Sequence, residues 1–203
     1  YPFQLSIVPL IGAIAGGNCA VLKPSAYSPA ISALISKLVK DCFDEKYITV
    51  VEGGREANQD LLKTKFDYIF FTGSVNVGKT VMEAASKYLT PVTLELGGKN
   101  PCIVCKDVNI DITARRIIWG KTVNSGQTCV APDYLLVHRD VKDSLLTAMK
   151  KYIREFFGDS PCNNDEYPRI INEKHFNLLI ELLNNRNIVT GGEVNEATLQ
   201  ISP

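Results

Sequence analysis

Asp67-Tyr68-Ile69-Phe70-Phe71-Thr72-Gly73-Ser74-Val75-Asn76-Val77-Gly78 runs from a β-branched and aromatic segment, through a small-residue turn, into the opening of a helical pattern. A strand that passes through glycine into a helix is half of a crossover unit, the connection that builds parallel sheets. Ser74 is placed to cap that helix, and Gly73 lets backbone come close to a ligand. The exposed N–H groups at the positive end of the helix favour a pyrophosphate. The same residues also satisfy the spacing of a nucleotide-hydrolase loop, Gly73-x4-Gly78-Lys79-Thr80. A dinucleotide cradle, a P-loop and a plain capped turn therefore stand side by side at this point.

Upstream, residues 5 to 17 mix Leu, Ile, Val, Ala and Gly in a pattern expected to form a buried helix. Ala20-Val21-Leu22 then reads as a short buried strand ending at Lys23-Pro24. Ser28-Pro29 opens an amphipathic helix with apolar residues at 31, 34, 35, 38, 39 and 42. Tyr47 to Val51 is a strand closed by Gly53-Gly54, and a polar helix over 56 to 63 follows.

Downstream of the glycine turn the helix is expected to continue through Leu89, and Pro91 to Leu94 forms a strand that delivers Glu95-Leu96-Gly97-Gly98. Strands at 101 to 105 and 134 to 137 enclose a helix over 111 to 123. Helices over 142 to 157 and 173 to 185 come after, and Asp159 to Pro168 is the one polar, loop-like stretch. Strands and helices that alternate over the whole length predict an α/β class with a largely parallel sheet. The joint is expected at Glu95 to Gly98, giving a cofactor-binding domain over 1–95 and a catalytic domain over 96–203.

Composition narrows the classes of function. With 45% hydrophobic and 22% charged residues the 203-residue chain has ordinary globular content. Lys+Arg and Asp+Glu balance at 22 each, so no net field favours nucleic acid or an anionic membrane. The apolar run from Leu5 to Gly17 is too short to span a bilayer and is interrupted by Pro9. Six cysteines lack the dense spacing of a disulfide scaffold and point to a reducing, cytoplasmic setting. Cys102 and Cys105 form a C-x-x-C, but residues three apart on a strand face opposite sides. With no second pair and with His138 and His175 isolated, no metal site is expected.

Chemistry concentrates on Asn124-Ser125-Gly126-Gln127-Thr128-Cys129, a thiol on a turn rich in hydrogen-bonding residues after an apolar helix. Gly126 supplies the positive φ that a sharp turn needs, and a cysteine displayed there reads as a nucleophile or as packing. Glu95, a carboxylate at a strand end beside paired glycines, lies where ligands gather in α/β sheets, and reads as a catalytic base or as a surface acid.

Thr93-Leu94-Glu95-Leu96-Gly97-Gly98-Lys99-Asn100-Pro101 and Asn124 to Cys129 resemble the two signatures of the aldehyde dehydrogenase superfamily. Leu22-Lys23-Pro24-Ser25 and Phe71-Thr72-Gly73-Ser74 resemble its two cofactor-binding segments, in the family's order. Asn124 to Tyr134, with Leu89-Thr90-Pro91 upstream, is most similar to the class 3, or fatty aldehyde, branch. This resemblance outweighs the P-loop pattern. It implies a Rossmann-like cofactor-binding region followed by part of an α/β catalytic domain, and oxidation of an aldehyde to a carboxylic acid with NAD or NADP.

Under the resemblance Cys129 attacks the aldehyde to give a thiohemiacetal and then a thioester, its backbone N–H holds the oxyanion, and Glu95 activates water. Lys23 bonds the adenosine ribose, Gly73 and Ser74 receive the pyrophosphate, and Ser25, Gly78 and Leu96 complete the cofactor site. Ala26 stands where the family often has a ribose-binding glutamate, which leaves NAD and NADP both open. The resemblance further implies a fragment that is inactive by itself, because the family's oxyanion asparagine would precede Tyr1 and its oligomerising strands would follow Pro203. When full length it would be a homodimer, with any membrane anchor outside these residues. A binding protein of the same fold that has lost the chemistry, and a P-loop hydrolase, are the competing readings.

Overall fold

The alternating helical and strand periods resolve into an α/β chain in the computed structural model, which describes residues 1–184 and 187–203. The chain divides into two compact units, Tyr1–Leu96 and Gly97–Pro203.

In the first unit α1 (Pro2–Ala15) begins with proline at the first helical turn, where the missing N–H is not needed, and carries Pro9 inside. The buried helix expected over 5 to 17 is corrected here. Leu10 is its one buried residue, and Val8 and Ile11 are 57% and 59% exposed. Apolar residues surround this helix on all sides, so a neighbour packed along one line cannot cover them. Gly17, at φ 72°, ends it by turning the chain into β1 (Ala20–Leu22).

β1 pairs in parallel with β2 (Ile48–Val50) across α2 (Pro29–Cys42), in the register Ala20↔Ile48 to Leu22↔Val50. Ile35 and Val39 of α2 close the core with Leu10, Leu22 and Ile48, whereas Leu34 and Leu38 of the same apolar pattern stay exposed. α3 (Arg55–Leu61) follows. The decisive stretch then forms β3 (Ile69–Thr72), and α4 (Val75–Ser86) crosses to β4 (Val92–Glu95), parallel to β3 from Ile69↔Val92 to Thr72↔Glu95.

α4 stops three residues short of the expected Leu89. The N–H of Thr90 returns to the Ala85 carbonyl at 3.1 Å and that of Leu89 to Ser86 at 3.3 Å, with Leu89 left-handed at φ 55°. This is the pairing that terminates helices through a left-handed residue. A helix-favouring composition gave no sign of it.

The second unit opens with β5 (Asn100–Val104), crosses through α5 (Ile110–Thr122), and returns as β6 (Pro132–Val137), parallel to β5. α6 (Lys142–Phe157) packs on α5, and Val104, Ala114, Ile117, Ile118, Leu145 and Tyr152 form the core. Asn109 caps α5 by accepting from Ile112 N–H at 3.0 Å. Tyr152 donates to Asp111 at 2.6 Å, with Lys151 at 3.2 Å, which holds the Asp111 carboxyl below its ordinary range.

α7 (Glu173–Leu183) is capped by Asn172, which accepts from His175 N–H; the expected helix end at 185 lies outside the described residues. A hairpin of β7 (Val194–Asn195) and β8 (Gln200–Ile201) was not legible in the sequence. It orders the stretch expected to be a loop. Pro161, Cys162 and Tyr167 are buried there, and Gln200 Nε2 donates to the Tyr167 and Asn164 carbonyls at 2.6 and 3.0 Å. Among the described residues three strand pairs are parallel and this last one antiparallel, each a two-stranded ribbon.

Candidate active site

In the first unit the residues singled out for cofactor binding all follow the C-terminal ends of parallel strands. Lys23 and Ser25 share the turn after β1. The Lys23 ammonium donates to the Pro24 carbonyl at 2.7 Å, and Ser25 Oγ accepts from Tyr27 N–H at 3.2 Å. Burial lowers the Lys23 pKa.

Gly73, Ser74, Gly78, Leu96 and Glu95 gather around β3, α4 and β4, each with a definite task. Gly73 donates its N–H to the Glu95 carbonyl at 3.0 Å, extending the ladder, and a Cβ there would lie 2.5 Å from the Phe71 ring. That N–H, expected to meet a pyrophosphate, is already used by the sheet. Ser74 Oγ accepts from Val77 N–H at 3.3 Å, the cap that the sequence predicts. Val75 and Asn76 stand in the first turn of α4, whose N–H groups have no acceptor within the helix.

Gly78 is buried, and a Cβ on it would lie 2.8 Å from Leu96 Cδ2. Its glycine identity therefore serves the seating of Leu96 on the helix. Because α4 starts at Val75, Gly78-Lys79-Thr80 lies inside the helix and not in a loop that could wrap phosphates. The P-loop reading ends there. The Glu95 side chain stands exposed at the last residue of β4.

Cys129 belongs to the second unit. After α5, residues Val123–Gly126 make one 3-10 turn in which Asn124, Ser125 and Gly126 are all left-handed, at φ 54°, 53° and 75°. Each left-handed non-glycine costs about 1 to 2 kcal/mol, so such a run persists only where neighbours over-determine it. They do so here. Asn124 and Gln127 exchange side-chain bonds with each other's carbonyls at 3.1 and 3.0 Å. Gln127 also donates to the Arg169 carbonyl at 3.1 Å and accepts from Ile171 N–H at 2.9 Å. Ser125 Oγ donates to the Pro168 carbonyl, beside the buried Tyr167 phenol, whose pKa burial pushes up.

Beyond this clamp, a second turn over 128–131, closed by Ala131 N–H to the Thr128 carbonyl at 3.0 Å, presents the Cys129 side chain at the surface. Thr128 Oγ1 is buried with no hydrogen-bond partner among the described residues. Exposure does not single Cys129 out, since Cys19, Cys42 and Cys105 are exposed as well; the clamped turn does. Among the described residues no cluster of His, Cys, Asp or Glu could hold a metal ion.

Sequence reading missed the residues that hold this turn. Asn100, in the segment after Glu95, donates from Nδ2 to the Cys129 carbonyl at 2.6 Å and to the Ala131 carbonyl at 3.1 Å. Lys99, next to it in sequence but outside this hold, pairs with Asp133 at 2.7 Å. Only the proximity in sequence of Asn100 to Glu95 could have drawn attention to it. The segment 168–171 carries no signal of its own.

Over residues 1–199 the chain matches the family described as the aldehyde dehydrogenase family. It is 48% identical over 203 residues to aldehyde dehydrogenase family 3 member A2 of Pongo abelii, covering 100% of this chain and 42% of that protein. It is 47% identical to the dimeric NADP-preferring aldehyde dehydrogenase of Mus musculus, covering 100% and 45%. A solved structure of the substrate-bound state of AldH from Staphylococcus aureus matches with a TM-score of 0.93 at 52% identity, covering 100% of this chain and 45% of that one. The chain spans less than half the length of these relatives. No helix among the described residues is long and apolar enough to cross a membrane.

Proposed function

The chain belongs to the aldehyde dehydrogenase family, and from that premise we propose that it carries the cofactor side and the nucleophile of an enzyme oxidising an aldehyde to a carboxylic acid. The observation that supports this best is the exposed Cys129 in the turn that directly follows a clamped run of three left-handed residues. Strain kept in place by side chains from elsewhere is the mark of a pre-organised reacting group.

In this reading the first unit takes NAD or NADP and the second takes the aldehyde. The first-turn N–H groups of Val75 and Asn76 at the α4 N-terminus suit a pyrophosphate, and Lys23, on the turn that Ser25 shapes, would bond the ribose. Gly73, Ser74, Gly78 and Leu96 keep that strand–turn–helix close and rigid. The absence of an acid at Ala26 leaves a 2′-phosphate unopposed, and the mouse relative's NADP preference supports admitting both cofactors. The bound nicotinamide supplies the hydride acceptor. Cys129 attacks the carbonyl as the thiolate and holds the acyl group as a thioester, and the Glu95 carboxylate takes a proton from the water that releases the acid. A homodimer is supported by the mouse relative's name. A cytoplasmic setting is supported by the spacing of the six cysteines, which lacks the density of a disulfide scaffold.

A single-turnover assay on the full-length protein tests the assignment. Cys129→Ala should lower nicotinamide reduction by about 10⁴-fold or more, the scale of losing a covalent nucleophile. Glu95→Gln should keep a fast first turnover followed by a slow steady rate, because the amide cannot take the proton from water. Undiminished turnover in Cys129→Ala would overturn the reading, and equal loss of both phases would move Glu95 to an earlier or structural role.

A further inference from the structure

The point where Asn100 meets the Cys129 turn is one where the sheet cannot hold itself. β5 and β6 start beside prolines, with Asn100 opposite Pro132 and Pro101 opposite Tyr134, and the register slips between Asn100 and Pro101. Neither proline has an N–H to give, so the ladder lacks donors where it should fasten the chain leaving Cys129. The Asn100 side chain replaces them. Its one amide group reaches both the Cys129 and the Ala131 carbonyls, at 2.6 and 3.1 Å.

Resting on the reading of Cys129 as the nucleophile, we propose that Asn100 is its positioning residue, a side-chain substitute for a missing ladder bond that fixes the peptide plane following Cys129 and so aims the thiol. Gly98 makes room for this arrangement: a Cβ there would lie 3.1 Å from Asn100 Oδ1 and 3.6 Å from the Cys129 carbonyl. The role demands an amide. An aspartate would present acceptors to two carbonyl oxygens, and a serine is too short and has one hydrogen to donate. The neighbouring ion pair of Lys99 and Asp133 joins two side chains to each other, and the Lys99 side chain is 79% exposed, where salt bridges are weak. It provides the control.

The test uses the full-length protein with Asn100→Asp, Asn100→Ala and Lys99→Ala. The readouts are the single-turnover burst with aldehyde, the nicotinamide Kd, the unfolding midpoint, and the pH profile of Cys129 alkylation by iodoacetamide mapped to its peptide. Both Asn100 variants should slow the burst by about 10²-fold, the scale of a nucleophile displaced by an ångström, with nicotinamide Kd within about twofold of wild type. Asn100→Asp alone should also move the alkylation profile to higher pH, because a carboxylate beside the turn disfavours the thiolate. Lys99→Ala should change neither. Should the aspartate variant fail to fold, Asn100→Ala carries the burst and Kd comparison.

Bursts within about twofold of wild type in both variants would overturn the proposal, on the same scale of misplacement. So would a parallel fall of burst, cofactor affinity and unfolding midpoint, which marks a structural residue. A wild-type enzyme with no Cys129-dependent burst would overturn the functional reading instead, and the alkylation profile would then decide the role of Asn100 by itself.

Discussion

At Gly73 and Ser74 the bonds stay within one strand–helix–strand crossover: the ladder bond to Glu95, the cap on Val77, the seat of Leu96 on Gly78. At Asn124 to Cys129 the bonds come from far along the chain, from Asn100 on one side and residues 168–171 on the other. The two turns sit in different compact units and follow different rules. A site that needs only a helix end can be built by one strand and one helix, since the first-turn N–H groups come with the helix. A turn that passes through a left-handed run before presenting a side chain needs outside groups to hold it there.

The largest expected effect breaks the second turn and not the first. Gln127→Ala removes the clamp to Arg169 and Ile171 together with the bond to Asn124, and should destabilise the second unit by about 2 to 3 kcal/mol, the cost of leaving several backbone groups with imperfect replacements. Fluorescence of Trp119, the only tryptophan and a residue of the second unit, followed through a urea titration reads it directly. A change below about 0.5 kcal/mol, within the range of ordinary surface substitutions, would mean that the long-range bonds are ornamental and the contrast false.

The same contrast explains what the sequence could tell. The strand–turn–helix at 67–78, the Ser74 cap, and helices such as 142–157 are written in neighbouring residues, so period and capping chemistry were enough to read them. Cys129 and Glu95 were legible as residue types in signature segments, and Gly126 as a left-handed position. The left-handed state of Asn124, Ser125 and Leu89 was not, because those conformations are imposed by bonds closed only in the fold. Asn100 could not be given a task until it was seen opposite Pro132 and beside Pro101 where the two strands meet. Gly73 and Gly78 were read as ligand-facing when Phe71 and Leu96 are what require them small.

A second test sharpens the local half of the contrast. Gly78→Val should force Leu96 off α4 and cost about 1 to 3 kcal/mol, as overpacking does, with part of that recovered in the double variant with Leu96→Ala. Hydrogen exchange in α4 is the measurement. Additive effects of the two substitutions would show that the glycine and the leucine do not share one contact.

The smallest effect, and the one that distinguishes the units by sign, is their response to alkali. In the second unit burial pushes the Cys162 thiol up, while its Sγ donates to the Glu193 carbonyl at 3.2 Å beneath the hairpin that supports residues 164–170. A thiol with a raised folded pKa contributes stability that is whole below its unfolded value, about 8.5, and is lost as pH rises through the folded one. The buried Tyr167 phenol acts in the same direction at higher pH. In the first unit burial lowers the Lys23 pKa, so its contribution is whole above the unfolded lysine value, about 10.4, and is lost as pH falls through the depressed folded one. From about pH 8.5 to 10.5 the second unit should therefore weaken while the first holds or gains, the first only modestly because the half-buried Lys23 keeps contact with water. Hydrogen-exchange protection of α6 against α2, corrected for the intrinsic pH dependence of exchange, compares the two. Cys162→Ala should flatten the early part of the α6 decline and leave α2 untouched. Helices of both units losing protection in step, with or without that substitution, would show that alkali acts on the molecule as a whole and not through the scaffold on which the Cys129 turn is clamped.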